Sequence, residues 1–319
     1  MPNRLLYLSL LVCSLFAPLH ACAKEASYTR TEDVIYGRKF GTALTMDVFR
    51  PKANSNGAAI VSVVSGGWYS AHDRISKKPI DGGYTVFAVV HGSQPRFNIR
   101  DAYEDINRAV RFIRYHAKDD GIDPDRIGIM GGSAGGHLSL MQAIKPIPPD
   151  AESEDPVDRT SSRVQAVACF FPPTDFLNYG EPDKLAWTTT LKWLPSAFDF
   201  EHLEPENKQK LYTRHFEKIT ADEQKAIAKE MSPIYFVTSE APPTLIIHGD
   251  ADRVVPFEQS QRLVKKLEEA KVPVKLEVRL GRDHGWPDTN PDLAQMREWF
   301  DQHLAAKKPS EQKAPAATP

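Results

Sequence analysis

Apolar and polar positions along this chain follow two periodicities, one typical of strands and one typical of helices. Continuous or alternating apolar runs predict strands, and apolar positions three or four residues apart predict helices between them. The predicted strands cover 34–39, 44–50, 58–64, 85–90, 126–130, 164–171, 244–248 and 274–280. The predicted helices cover 101–116, 137–143, 258–270 and 293–304. Strands that alternate with helices predict an α/β fold built on a mostly parallel, doubly wound sheet.

One stretch, residues 177–237, departs from this alternation. It lies between two predicted core strands and mixes aromatic residues with charged segments, of which 211–230 has a helical pattern. An insertion at such a position is typical of a helical lid or cap over a pocket. The alternative is a helix packed on the edge of the sheet.

The N-terminal residues have the pattern of a targeting segment. Arg4 precedes an apolar run at 5–17, and Ala21-Cys22-Ala23 has the small residues of a cleavage site. The pattern predicts a signal peptide at 1–23 and a secreted or periplasmic location. The apolar run is too short to span a bilayer comfortably, so we expect no stable membrane span. A lipid anchor at Cys22 and an uncleaved N-terminal helix are the alternatives.

Composition indicates an ordinary globular protein. The chain has 319 residues, of which 41% are hydrophobic and 26% charged, enough for one large α/β domain over 24–304. The tail, 305–319, is rich in Lys, Pro and Ala, which predicts disorder. The formal net charge is −2, and Lys and Arg are mixed with Asp and Glu. This balance predicts no nucleic-acid partner and no strongly basic membrane-binding surface.

Cysteine usage predicts neither a disulfide nor a metal site. Cleavage of the signal peptide would remove Cys13 and Cys22 and leave Cys169, which lies in an apolar run and is expected to be a buried thiol. The chain has no C-x-x-C or H-E-x-x-H motif. We therefore expect no metal and no cofactor.

Candidate chemistry first appears in the turn Gly131-Gly132-Ser133-Ala134-Gly135-Gly136. The turn follows a predicted strand and precedes a predicted helix, which is the context that a G-x-S-x-G nucleophile elbow requires. Its glycines allow a strained backbone and close packing of strand on helix. The sequence thus predicts Ser133 as a nucleophile.

A serine hydroxyl needs a base to remove its proton, and the base is usually a histidine oriented by a carboxylate. Two loops after later strands supply such residues: one contains Asp250 and Asp252, and the other contains Asp283 and His284. The order Ser, Asp, His along the chain is the order found in the α/β-hydrolase fold. His284 is the predicted base, and either Asp250 or Asp252 can be the acid.

With these motifs the chain resembles the α/β-hydrolase superfamily, in particular the secreted esterase and lipase group that includes acetyl- and feruloyl-esterase-like proteins. It is similar, more distantly, to the prolyl oligopeptidase-type catalytic domain. The resemblance covers roughly 34–304 and rests on three motifs: Gly131-Gly132-Ser133-Ala134-Gly135-Gly136-His137, His248-Gly249-Asp250-Ala251-Asp252-Arg253-Val254-Val255-Pro256 and Asp283-His284-Gly285-Trp286. The family pattern implies that the acid is Asp252. Asp250 and Asp283 are then turn or surface residues, and His137 and His248 are structural.

The resemblance also implies an oxyanion hole made of the backbone N–H groups of Gly66, Gly67 and Ala134. Relatives carry His-Gly-Gly-Gly-Trp in the loop where this chain has Val64-Ser65-Gly66-Gly67-Trp68, so the His that usually braces the loop is missing.

Three aromatic residues near these motifs are also predicted to bind substrate: Trp68, Tyr69 and Trp286. Loop packing is the alternative for Trp68 and Tyr69. A second departure from the relatives is His91-Gly92-Ser93, where many of them have Asp-Tyr-Arg. We expect His91 to be structural rather than a second base.

The resulting prediction is a serine esterase that cleaves carboxylic esters through an acyl-enzyme. The substrate would be a small-molecule or polysaccharide-linked ester, with acetyl or feruloyl groups as candidates. A peptidase or amidase of the prolyl oligopeptidase type is one alternative. A non-catalytic binding protein on a hydrolase scaffold is the other.

Overall fold

The computed structural model describes residues 27–94, 96–192, 194–198, 201–203 and 216–306. The predicted signal peptide, 1–23, lies outside this part of the chain, and so does nearly all of the predicted tail, 305–319. Within the described ranges, no helix is both long enough and apolar enough to cross a membrane.

The core is a mostly parallel sheet of eight strands. In chain order the strands are β1 (Tyr28–Lys39), β2 (Thr42–Pro51), β3 (Ala59–Val64), β4 (Thr85–Val90), β5 (Ile127–Gly132), β6 (Ala166–Phe170), β9 (Thr244–Gly249) and β10 (Val274–Arg279). The spatial order is β1-β2-β4-β3-β5-β6-β9-β10. β1, β2 and β4 pair antiparallel, and every later pairing is parallel. The predicted fold class is confirmed, and the predicted strands match these eight to within a few residues except at the start of β1.

Six α-helices lie in the described part of the chain. They are α1 (Ile99–Tyr115), α2 (Ala134–Ile144), α3 (Leu194–Ala197), α4 (Ala221–Glu230), α5 (Glu258–Glu269) and α6 (Asn290–His303). α1 begins with a capping box in which the side chain of Asn98 accepts from the Asp101 N–H and the Asp101 side chain accepts from the Asn98 N–H. This cap sets the start of α1 two residues before the predicted one.

The sheet is covered on both faces, and its central strands β3, β4 and β9 are almost entirely buried. Alternate residues of β3 enter different cores: Val61 and Val63 belong to the core that contains residues of α1, α2 and α5, whereas Ile60 belongs to the core that contains Phe300 of α6. Cys169 of β6 is buried, as expected, and is a free thiol.

The insertion between β6 and β9 is less helical than the sequence predicts. Residues 216–218, placed inside a predicted helix, form β8 (Phe216–Lys218), which pairs antiparallel with β7 (Glu201–Leu203). The helical part begins only at α4, where Thr220 and Glu223 form a capping box. The helical pattern of apolar residues in the sequence continues upstream of this cap, so that pattern alone does not mark the start of α4.

Candidate active site

The turn between β5 and α2 has the geometry of a nucleophile elbow. Ser133 adopts φ 53° and ψ −121°, a conformation that L residues other than glycine rarely take. Its N–H donates to the carbonyl oxygen of Phe170 at 2.9 Å. A Cβ on Gly131 would lie 2.5 Å from the carbonyl atoms of Gly135, and a Cβ on Gly135 would lie 2.7 Å from the Val63 oxygen. Glycine at these positions lets β5 and α2 meet closely while Ser133 stays partly exposed.

Three predicted residues come together from loops after three different strands. The hydroxyl of Ser133 donates to Nε2 of His284 at 2.9 Å, and Nδ1 of His284 donates to Oδ2 of Asp252 at 2.7 Å. The His284 ring packs on Phe171, with centroids 4.5 Å apart. In this arrangement a base reaches the hydroxyl while a carboxylate fixes the tautomer and orientation of the base.

Asp252 is 9% exposed and accepts hydrogen bonds on both carboxylate oxygens. Oδ1 accepts from the N–H groups of Val254 and Val255 at 2.8 and 2.9 Å, and Oδ2 faces Nε2 of His248 at 3.2 Å as well as His284. Burial raises the pKa of Asp252, but hydrogen bonds from His248, His284 and Val255 outweigh burial and hold the pKa well below its usual range. The carboxylate is therefore charged near neutral pH.

His248 is a residue whose contribution the sequence did not reveal. The ring is fully buried, and Nε2 carries a proton because it faces two acceptors, Oδ2 of Asp252 and the carbonyl oxygen of Val255. That proton is shared between the two acceptors, and the Val255 oxygen lies 3.0 Å from Nε2. Nδ1 then accepts from the Ser260 hydroxyl at 2.6 Å. The spacing of four residues between His248 and Asp252 was visible, but the turn that folds one onto the other was not.

The two loops that carry the acid and the base are joined by the other two aspartates. Asp283 accepts from the Arg253 N–H at 2.9 Å and from Arg253 Nε at 2.5 Å, and it also accepts from the N–H of His284 at 2.8 Å. Asp250 accepts from the N–H of Gly281 at 2.5 Å. The Arg253 contacts hold the pKa of Asp283 at about 2. Both side chains therefore make turn contacts between loops, and only Asp252 contacts a histidine side chain.

The N–H of Gly66, one of the predicted oxyanion donors, has a hydrogen-bond partner within its own loop. The N–H of Gly66 donates to the carbonyl oxygen of Tyr69 at 2.9 Å, and the Tyr69 N–H donates back to Gly66 at 3.1 Å. Gly67 and Trp68, with φ 59° and 57°, form the tight turn between them. The Gly66 N–H is thus already used within this turn, a pairing that a motif comparison does not show.

Two other N–H groups near Ser133 have no hydrogen-bond partner among the described residues. One belongs to Ala134, the first residue of α2 and one of the predicted donors. The other belongs to Ser65, which lines the same cavity as Ser133. Ser65 also lies close to the start of α2, because its carbonyl oxygen would be 3.4 Å from a Cβ on Gly135. Gly67 is not among the residues that line this cavity.

Trp68 is not in a position to bind substrate. The side chain is 3% exposed, its Nε1 donates to Nδ1 of His137 at 3.1 Å, and its ring packs on Phe176. His137 in turn donates from Nε2 to the carbonyl oxygen of Met231 at 2.6 Å. Trp68 therefore joins the loop after β3 to α2 and to the end of the insertion, and the alternative of loop packing applies to it.

The two remaining aromatic candidates lie nearer the surface. Tyr69 is 45% exposed, and Arg74 stacks on its ring at 4.9 Å. Trp286 packs edge-on against Phe171 and donates from Nε1 to Asp292 at 2.7 Å. Neither lines the cavity beside Ser133, which is bounded instead by Phe171 and its neighbours.

The bracing role of the missing histidine is taken by a histidine from the next strand. Nε2 of His91 accepts from the Ser65 hydroxyl at 2.9 Å, and Nδ1 donates to the Gly92 carbonyl oxygen at 2.7 Å. Burial lowers the pKa of His91 to about 4, so the ring is neutral near pH 7. Ser65 and His91, the two departures from the relatives' motifs, are thus partners.

A cavity of about 490 Å³ opens beside Ser133. Its walls include Ser65 and Gly66 from the loop after β3, and Phe170 and Phe171 from the end of β6. None of the insertion residues that the structure describes lines it. The lid function of 177–237 therefore stays a prediction.

One group of metal-ligand type occurs in the described ranges, formed by Asp33, Asp47 and His72. Arg30 forms an ion pair with Asp47, and no member of the group lines the cavity of Ser133. Asp33 and Asp47 lie on β1 and β2, and His72 lies on the connection between β3 and β4, so the group is separate from the row of Ser133, His284 and Asp252.

An eight-stranded sheet with Ser, Asp and His in this order at its strand ends defines the α/β-hydrolase class. Within that class, the chain belongs to the BD-FAE family, whose model matches residues 46–267.

Similar proteins carry esterase names. "Probable carboxylic ester hydrolase LipM" of Mycobacterium tuberculosis is 28% identical over 266 residues, covering 81% of this chain and 56% of the relative. "Acetylxylan esterase" of Xylanibacter ruminicola is 35% identical over 105 residues, which are 30% of this chain and 21% of the relative. The chain spans little more than half the length of the first curated relatives it matches.

The fold is also that of a solved structure, "Truncated form of carbohydrate esterase from gut microbiota". The match has a TM-score of 0.69 with 24% identity and covers 88% of this chain and 99% of that one.

Proposed function

We propose that this chain is a serine esterase that hydrolyses carboxylic esters through an acyl-enzyme on Ser133. The observation that carries the proposal is the hydrogen-bonded row from Ser133 through His284 to Asp252, with distances of 2.9 and 2.7 Å. Family membership and the esterase names of the relatives support an ester as the substrate.

In the first half-reaction, Oγ of Ser133 bonds to the ester carbonyl carbon while its proton passes to Nε2 of His284. The resulting oxyanion accepts hydrogen bonds from the Ala134 and Ser65 N–H groups. The imidazolium, stabilised by charged Asp252, then gives the proton to the leaving alcohol as the carbon–oxygen bond breaks. Water repeats these steps on the acyl-enzyme and releases the acid.

For the substrate, we propose acetyl or feruloyl esters attached to polysaccharide. The names of two similar proteins, an acetylxylan esterase and a carbohydrate esterase, support this choice. We also propose that the chain is exported, because the pattern of residues 1–23 is that of a signal peptide.

The test is hydrolysis of p-nitrophenyl acetate, methyl ferulate and acetylated xylan, with proline-containing peptide amides as competing substrates. Ser133→Ala should lower kcat by roughly 10³-fold or more while leaving the fold intact, since the three residues act as a unit. Undiminished ester turnover in Ser133→Ala would refute the mechanism. Cleavage of amides but not of esters would favour the peptidase, and ligand binding without any turnover would favour the binding protein.

A further inference from the structure

The cavity beside Ser133 exists because of the unusual connection between β3 and β4. A crossover between parallel strands ordinarily contains a helix that packs on the sheet. Here residues 65–84 contain only a single 3-10 turn, His72–Arg74. The sheet face below this connection is left to form the floor of the cavity.

The floor is long and mostly apolar. It is formed by residues of β2, β4, β3 and β5: Phe49, Val86, Ala88, Ser62, Val64 and Met130. Neighbouring strands lie about 4.8 Å apart, so three strand spacings give a floor of roughly 14 Å from the strand before Ser133 to β2. A ligand considerably longer than an acetyl group can therefore lie along it.

Positive charge lines this cavity without a balancing carboxylate. Arg74 and Lys78, both on the covering connection, are among its lining residues, and no Asp or Glu of the described ranges is. Neither cation forms an ion pair within the part of the chain that the structure describes. By contrast, Arg108 is paired with both Asp155 and Asp158 on the other side of the molecule.

Arg74 is also held in place. Its guanidinium stacks on the Tyr69 ring at 4.9 Å, and Nη1 would lie 2.5 Å from a Cβ on Gly66. The absence of a side chain at Gly66 thus gives the guanidinium its place against the oxyanion loop. A planar guanidinium fixed at a cavity wall is suited to bidentate binding of a carboxylate, sulfate or phosphate group.

We propose that Arg74 and Lys78 form an anion subsite, so that the preferred substrates are esters that carry a second, negatively charged group. This inference rests on the proposed ester hydrolysis at Ser133. The apolar floor holds the part of the substrate between the two groups, and the two cations bind the charge at the wall.

The kinetic test compares esters of matched size that differ in charge. Mono-p-nitrophenyl adipate is paired with p-nitrophenyl hexanoate for charge on the acyl side, and 4-acetoxybenzoate with phenyl acetate for charge on the alcohol side. The wild-type protein should have the higher kcat/KM for the charged member of at least one pair. In Arg74→Gln and in Lys78→Gln, kcat/KM for that member should fall at least tenfold more than for its neutral partner.

Lys77→Gln is the matched control, because Lys77 is an exposed lysine of the same connection that does not line the cavity. It should keep the preference of the wild-type protein. No preference in either pair, or an equal loss in Lys77→Gln, would overturn the proposal.

A binding measurement separates this inference from the proposed function. The Ser133→Ala variant is titrated calorimetrically with monoethyl adipate and with ethyl hexanoate. The same titrations are then made with the double variant that carries both Ser133→Ala and Arg74→Gln. Tighter binding of the anion that is lost with Arg74→Gln supports the subsite even if no ester is hydrolysed. Equal binding of both compounds refutes the subsite even if Ser133 proves to be the nucleophile.

Discussion

Asp252 is bound by two histidines, of which only His284 faces Ser133. The second, His248, is buried and contacts Oδ2 at 3.2 Å from the opposite side. A hydrogen bond to a charged carboxylate is worth about 1.5–3 kcal/mol, so His248 stabilises both the charge and the orientation of the acid.

His248→Phe should therefore lower kcat/KM for p-nitrophenyl acetate by roughly tenfold, or about 1.4 kcal/mol of transition-state stabilisation. Phenylalanine keeps a ring at this position but has no N–H, so the carboxylate loses a donor while Ser133 and His284 remain. Steady-state kinetics of folded protein measure the effect. Ser260→Ala, which removes only the donor to His248 Nδ1, should have a smaller effect, and an unchanged rate in His248→Phe would show that the imidazole contributes only by packing.

At the level of single residues, the sequence revealed those whose chemistry is marked by local context. Ser133 and His284 lie in glycine-containing turns after strands, and such turns are readable from the chain itself. The contact of Ser65 with His91 joins residues 26 positions apart on neighbouring strands. It depends on strand register, which no local pattern specifies, and the same holds for the pairing of Gly66 with Tyr69.

The junction of β5 with α2 is an element whose geometry depends directly on glycine. At Gly135 a Cβ would meet the backbone oxygen of Val63, and backbone cannot move as a side chain can. At Gly132 the nearest atom to a Cβ is 3.7 Å away, an ordinary contact.

Gly135→Ala should therefore lower the free energy of unfolding by about 1–3 kcal/mol, the usual cost of overpacking, and should also reduce activity. Gly132→Ala should change stability by about 0.5 kcal/mol or less. Urea denaturation of both variants gives the comparison. Equal free energies of unfolding for Gly135→Ala and Gly132→Ala would contradict the prediction, because β5 and α2 could then move apart at no cost in stability.

The loops after β9 and β10 form a second unit, fixed by Asp283. Asp283→Ala removes the acceptor for Arg253 and for the His284 N–H, so the base should become less well placed. We expect kcat to fall several-fold with little change in stability, since exposed ion pairs contribute little to folding. Asp283→Asn, which keeps an acceptor oxygen, should recover part of the rate; no recovery would indicate that charge rather than placement matters.

Elements were predicted best where burial enforces a continuous apolar pattern, as in β3 and β4, and least well in the insertion. Residues 216–218 form a short strand although the surrounding charges suggested a helix. Pairing with β7 determines their conformation, and three residues are too few to show a period of two.

Stability of the whole molecule should fall in mild acid because of buried neutral histidines. Burial lowers the pKa of His91 and of His137 to about 4, whereas an unfolded histidine titrates near 6.5. Between these values the unfolded chain binds protons that the folded chain does not, so the free energy of unfolding decreases as the pH falls from 6.5 to 4. Burial raises the pKa of Asp105 to about 6, so this carboxyl increases the free energy of unfolding as the pH falls. It is one group against two histidines.

His91→Gln should therefore show a smaller loss of stability between neutral pH and pH 5 than the wild-type protein. Urea denaturation at both pH values measures the difference, and His116→Gln, at a half-buried histidine on the surface, is the control. Parallel pH profiles for the wild-type protein and His91→Gln would contradict the prediction.

The imidazole of His137 ties three parts of the molecule to one point. It receives the Trp68 indole N–H on one side and binds the Met231 carbonyl on the other, so the nucleophile helix, the oxyanion loop and the returning end of the insertion share one anchor. Other residues of the insertion, such as Ala186 and Leu194, belong to the same core as this helix. The position of the elbow is therefore coupled to the insertion, and a change at Met231 can reach Ser133 through α2.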